Sequence, residues 1–122
     1  MVIYVRKNIK KYIFICAYAQ SRSKYFAERF IQEGNLALFC GHQREADIIL
    51  SQIHLDWSDV IVVLDKDIIY EPKPFDMLAE EQRKGKPVIN FWIDDTPSTF
   101  EEKYQELLSQ TIILPNKSEI NR

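Results

Sequence analysis

The segment "KYIFICAYAQSRSKYFAERF", Lys11 to Phe30, contains a buried-strand pattern, a short irregular stretch and an amphipathic helix in succession. Residues 11–16 are apolar after their first position and rich in strand formers. From Ser23 the pattern changes: Phe26, Ala27, Phe30 and Ile31 recur at helical spacing, and Gly34 follows as a stop. A strand, a short loop and a helix in this order open a βα unit.

The same alternation recurs along the chain. "LALFC" (36–40) reads as a second strand and "READIILSQI" (44–53) as a helix with Ala46, Ile49, Leu50 and Ile53 on one face. "DVIVVL" (59–64) is the clearest buried strand, being rich in β-branched residues and bounded by charge. A helix is predicted over 75–84, ended by Gly85. "PVINFWI" (87–93) reads as a fourth strand, and "STFEEKYQELLS" (98–109) as a fourth helix with Phe100, Tyr104, Leu107 and Leu108 inside and a capping box from Ser98 to Glu101. Strands alternating with helices predict right-handed crossovers and a three-layer α/β domain around a four-stranded parallel sheet in flavodoxin-like order. The domain is expected over 1–114, with a polar tail over 115–122. Ligands then gather at the carboxyl ends of the strands, where the loops after Cys16, Leu64 and Ile93 lie.

The chain has 122 residues, 46% hydrophobic and 28% charged, with a formal net charge of -2. That balance gives no reason to expect nucleic acid as a partner. The basic start has its apolar residues broken by charge, unlike a signal peptide, and no apolar run is long enough to span a bilayer, so a cytoplasmic location without a membrane partner is expected. Cys16 and Cys40 permit one disulfide by count alone. Together with His42 and His54 they form no close metal-ligand pair, so no structural metal is expected.

The loop after Cys16 carries the chemistry. Cysteine, five residues, Arg22 and then Ser23 allow the backbone of Ala17, Tyr18, Ala19, Gln20 and Ser21 to curl into an anion-binding nest at a helix N-terminus. Arg22 adds a planar two-pronged grip on phosphate oxygens. Helix dipole, guanidinium and amides together favour the thiolate form of a cysteine beneath them, and the hydroxyl of Ser23 is placed to hydrogen-bond the sulfur. Asp94 and Asp95 belong to the same sheet edge, although aspartate also favours turns of the kind before Pro97.

"FICAYAQSRS" resembles the low-molecular-weight protein tyrosine phosphatases, nearest their short bacterial relatives. "LALFCGH", "LDWSDVIVVLDKD" and "INFWIDD" extend the likeness over most of the chain. The resemblance implies a metal-free, cofactor-free cysteinyl-phosphate mechanism on a phosphorylated protein or small aryl phosphate: Cys16 as nucleophile, Arg22 and the loop amides holding phosphate, Ser23 supporting the sulfur, and an aspartate as general acid. The family's Asp-Pro-Tyr is absent, so Asp94 and Asp95 both stand as the acid, with Asp95 preferred. Ala19 occupies the place of the family's bracing asparagine, Tyr18 that of a small residue, Ser21 that of a second cysteine found in some members, and Lys24 that of a proline. These departures set a second reading beside the enzyme, a phosphate- or phosphoprotein-binding module of the same fold with weak turnover, and a third, an interaction protein with a vestigial loop.

Other residues carry weaker expectations. Asp65, at the end of the third strand, suggests a phosphate-accepting receiver domain, but the first strand lacks the acidic pair that would hold magnesium, so Asp65 and Lys66 are expected to be solvated. Cys40 alone cannot complete the thiol relay of an arsenate reductase. Trp57 and Trp92 read as packing residues. Trp92 or Phe100 would line the entrance, and His54 has no assigned partner.

Overall fold

A computed structural model describes residues 10–110. Its core is a four-stranded, all-parallel sheet in the order β2-β1-β3-β4, formed by β1 (Lys11–Cys16), β2 (Leu36–Gly41), β3 (Val60–Val63) and β4 (Val88–Asn90). Four α-helices, α1 (Arg22–Gln32), α2 (Gln52–Trp57), α3 (Pro72–Arg83) and α4 (Phe100–Leu108), follow the strands in turn. Strand alternation divides the interior into two cores. Tyr12, Phe14, Cys16, Val60, Val62 and Leu64 meet α1 and α4 on one face, while Ile13, Ile15, Cys40, Ile61 and Val63 meet Leu55 of α2 and Leu78 of α3 on the other. Cys16 and Cys40 are free thiols and belong to opposite faces. Burial pushes the Cys40 thiol well above its ordinary range.

The first core is built from rings. Tyr12, Phe14, Phe26, Phe30 and Tyr104 pack mainly edge to face, with the Tyr12 and Phe30 centroids 4.6 Å apart. Helix α1 ends where expected, at Gly34 with φ of 88°, a backbone conformation that glycine adopts without strain. Ile31 faces solvent, 51% exposed, so the inner stripe of α1 is Phe26, Ala27 and Phe30.

Three predicted elements differ. No helix forms over 44–51; the chain there is a loop, and helix α2 begins only at Gln52. Ala46 and Leu50 are buried, whereas Ile49 and Ile53 are exposed. His54 does have a partner, its Nδ1 accepting the main-chain N–H of Ser51 at 3.1 Å at the start of α2. The fourth strand is only Val88–Asn90, although Phe91 and Ile93 still donate to the carbonyls of Val63 and Leu64. Glu101 is not a capping residue. It accepts from the Tyr25 hydroxyl and from Arg29, tying α4 to α1, and a 3₁₀ turn at Pro97–Thr99 precedes the helix. The predicted tail over 115–122 lies outside the described residues, as does the basic start up to residue 9. Among the described residues no helix is long and apolar enough to cross a membrane.

Candidate active site

Strand β1 delivers Cys16 to the carboxyl edge of the sheet, and α1 opens with Arg22 and Ser23, all three buried. The Cys16 sulfur lies 3.0 Å from the Ser23 hydroxyl. A cavity of about 60 Å³ is lined by Cys16, Tyr18, Gln20, Ser21, Arg22 and Asp95. At roughly 10–15 Å³ for each water-sized group, such a space suits the four oxygens of a tetrahedral oxyanion. Asp95 reaches this lining and Asp94 does not; both are exposed.

The main chain explains how the loop keeps its shape. The carbonyls of Cys16, Ala17 and Tyr18 accept hydrogen bonds at 2.9–3.0 Å from the N–H groups of His42, Gln43 and Asp47. Their oxygens therefore face the loop after β2. The N–H groups of residues 17–22 donate to no other described residue, which is the pattern expected of a nest open to an anion. Ala19 sits at φ of 61°, a left-handed conformation that costs an ordinary residue about 1–2 kcal/mol and turns the chain back on itself. The supporting loop is itself closed, Gly41 donating to Ile48 and accepting from Leu50.

At Gly41, the last residue of β2, the backbone packs closely against the loop after Cys16. A Cβ there would come within 2.5 Å of the Ala17 carbonyl oxygen and 2.7 Å of the Ala46 side chain. Gly41→Ala is therefore expected to push the Ala17 peptide out of place and to destabilise the fold by about 1–3 kcal/mol. Urea unfolding checks this; an unchanged midpoint would refute the close approach.

Arg22, expected to grip phosphate oxygens, is also held by protein groups. One terminal nitrogen donates to Asp65 Oδ1 at 2.9 Å and to the Ile93 carbonyl at 3.0 Å. Its Nε is buried and has no hydrogen-bond partner among the described residues, and Arg22 also lines the cavity. Asp65 corrects the expectation of a solvated charge. It is buried, and its second oxygen accepts from His42 Nε2 at 2.6 Å. Burial pushes the Asp65 carboxyl up, but the hydrogen bonds from His42 and Arg22 more than offset this and hold it below the usual carboxylate range. Lys66 is exposed, as expected. Asp65 and His42 are the site residues that sequence reasoning missed; the signal available was a charged residue ending the most apolar strand.

The rim departs from expectation as well. Phe100 is buried in the core, and Trp92 lines a separate apolar cavity with Ile68, Phe75 and Leu78. The ring at the mouth belongs to Tyr18, 47% exposed. Gln20, beside it, donates to Asp47 at 3.2 Å. The Asp95 loop is anchored on both sides by α1, through Ile93 to Arg22 and through Glu101 to Tyr25 and Arg29. Among the described residues no group of three or more His, Cys, Asp or Glu is arranged to hold a metal ion.

No protein-family model matches the sequence, and no curated protein is significantly similar to it. Among solved structures, the YwlE arginine phosphatase from Geobacillus stearothermophilus is similar to this chain. The likeness covers 80% of this chain and 85% of that one, at 18% sequence identity and a TM-score of 0.56. The four-stranded, three-layer fold is thus that of the low-molecular-weight protein tyrosine phosphatases.

Proposed function

We propose that the chain is a cysteine-dependent phosphatase acting on phosphotyrosine or a similar aryl phosphate. The observation that carries this reading is the cavity in which the Cys16 sulfur, the Arg22 guanidinium, the curled loop and Asp95 meet. The Cys16 thiolate attacks phosphorus, forming the S–P bond as the P–O bond to the leaving group breaks. Asp95 gives its proton to the departing oxygen. Water then loses a proton to Asp95, its oxygen bonds to phosphorus, and the S–P bond breaks to return the thiolate, which the Ser23 hydroxyl stabilises by donating a hydrogen bond. The loop amides of residues 17–22 and the Nε edge of Arg22 hold the equatorial oxygens as charge develops. Tyr18 is the ring available to flank an aryl leaving group.

The test is hydrolysis of p-nitrophenyl phosphate by the wild-type protein, lost in Cys16→Ser. Oxyanion binding without Cys16-dependent turnover would replace the enzyme with the phosphate- or phosphoprotein-binding module. Asp95→Asn is expected to lower kcat about 10²-fold or more, and Asp94→Asn to leave it within about 3-fold. Equal effects of the two would overturn the assignment of the acid.

A second reading concerns the leaving group. The similar solved structure is an arginine phosphatase, and Asp95 on the cavity, with Asp47 held against Gln20 beside it, offers carboxylates to a guanidinium. Comparing kcat/KM for phosphoarginine and p-nitrophenyl phosphate decides between an N-linked and an O-linked phosphoryl substrate.

A further inference from the structure

His42 is the first residue after β2 and stands outside the nucleophile loop, yet its main chain touches that loop directly and its ring reaches Arg22 through Asp65. Its main-chain N–H donates to the carbonyl of Cys16 at 2.9 Å. Its ring donates through Nε2 to Asp65 Oδ2 at 2.6 Å, and the other oxygen of the same carboxylate holds Arg22 at 2.9 Å. The ring is completely buried, with Nδ1 unpartnered among the described residues. Packing alone does not account for this side chain, since an aliphatic residue would fill the volume without burying an unpaired nitrogen.

We propose that His42 is a positioning residue, fixing the Arg22 guanidinium through Asp65 while its main chain fixes the carbonyl of the nucleophile. Asp65 alone could rotate about its side-chain bonds and carry the guanidinium with it. With both carboxylate oxygens engaged, the plane of the carboxylate is set, and with it the orientation of the Arg22 guanidinium. The arrangement also answers the absence of a bracing asparagine at Ala19. The loop after β2 supplies the support instead, through its main chain to the loop carbonyls and through the His42 ring to the arginine.

This inference rests on the phosphatase reading, and its test separates the two. His42→Leu removes the donor and keeps an apolar filling; His42→Gln restores a donor near the place of Nε2. Three quantities are measured on each folded variant: kcat and KM for p-nitrophenyl phosphate, the affinity for inorganic phosphate, and the ¹⁵N-resolved Nε–H signal of Arg22. Expected for His42→Leu are a kcat lower by about 10–100-fold, weaker phosphate binding and a broadened Arg22 signal, with most of each recovered in His42→Gln. A purely structural histidine would lower the melting temperature in both variants and leave kcat of the folded protein unchanged. Wild-type kcat, phosphate affinity and Arg22 signal in His42→Leu would overturn the inference, as would equal impairment of the two variants. If the wild type neither hydrolyses nor binds phosphate, the phosphatase reading fails, and the Arg22 signal still reports whether His42 holds the guanidinium.

Discussion

Cys16→Ser is expected to reduce hydrolysis of p-nitrophenyl phosphate by a factor on the order of 10⁴–10⁶ while leaving the fold and phosphate binding in place. Serine has nearly the volume of cysteine and keeps a hydrogen-bond partner for Ser23, which lies 3.0 Å from the sulfur. Buried at the end of β1 with 2% exposure, position 16 contributes little that a hydroxyl would disturb beyond a modest loss of apolar packing. What disappears is the proposed nucleophile. A serine hydroxyl at this position has no adjacent general base to activate it, and an alcohol is a far weaker nucleophile than a thiol. In the proposed site, oxyanion affinity rests instead on the amides of residues 17–22 and on Arg22, none of which the substitution replaces. Steady-state kinetics and phosphate binding by calorimetry on the same samples check both halves. Turnover within 10-fold of wild type would remove Cys16 from the mechanism; loss of phosphate binding with turnover would mean that the loop had collapsed.

The elements legible in the sequence are those whose apolar spacing serves packing alone. Strand β1 spans Lys11–Cys16 as read, and α1 and α4 bury Phe26, Phe30, Tyr104 and Leu107 as their periodicity requires. Residues 44–53 carry a helical pattern as regular as these, yet 44–51 form a loop and only the last two enter α2. The N–H groups of His42, Gln43 and Asp47 donate to the Cys16, Ala17 and Tyr18 carbonyls, and Asp47 lies inside the predicted helix. Its N–H cannot also close a helical turn. Here the demand of the neighbouring loop for donors overrides local propensity. Periodicity reports apolar faces and is silent about which main-chain groups a distant segment will claim.

The candidate site divides in the same way. Cysteine, arginine, serine and the strand–loop–helix setting are contiguous, so they are readable together. Asp65 lies 43 residues from Arg22 and 23 from His42, and a lone aspartate after a strand has the same local signature whether it is solvated or buried in an ion pair. Glu101 went the same way: three residues after a serine it imitates a capping box, but its carboxylate reaches 72 residues back to Arg29. Side-chain pairings across crossovers need the register of the sheet, and the register appears only when the strands are set side by side.

Asp65→Ala is expected to cost about 3–5 kcal/mol of stability, because it leaves the guanidinium of Arg22 buried without its counter-charge. Both side chains are about nine-tenths buried, 11% and 8% exposed, so solvent does little to screen the pair or to replace a lost partner. The Ile93 carbonyl still accepts from Arg22, but a neutral dipole does not balance a cation, and the His42 ring loses its acceptor as well. Since a whole domain of this kind is stable by only about 5–15 kcal/mol, Asp65→Asn serves as the milder variant: it keeps an oxygen for Arg22 while removing the charge. The pH dependence has a definite sign. Asp65 titrates below its ordinary value in the folded protein, so its contribution is fully present above about pH 4, near the unfolded value, and fades as pH falls through the folded one. Wild type should therefore lose more stability than Asp65→Asn between pH 5 and about pH 3, and the two stability curves should converge toward acid. Urea denaturation across that range measures it. A loss below about 1 kcal/mol in Asp65→Ala at pH 7, with a pH slope equal to wild type, would mean that the carboxylate does not hold Arg22 in solution.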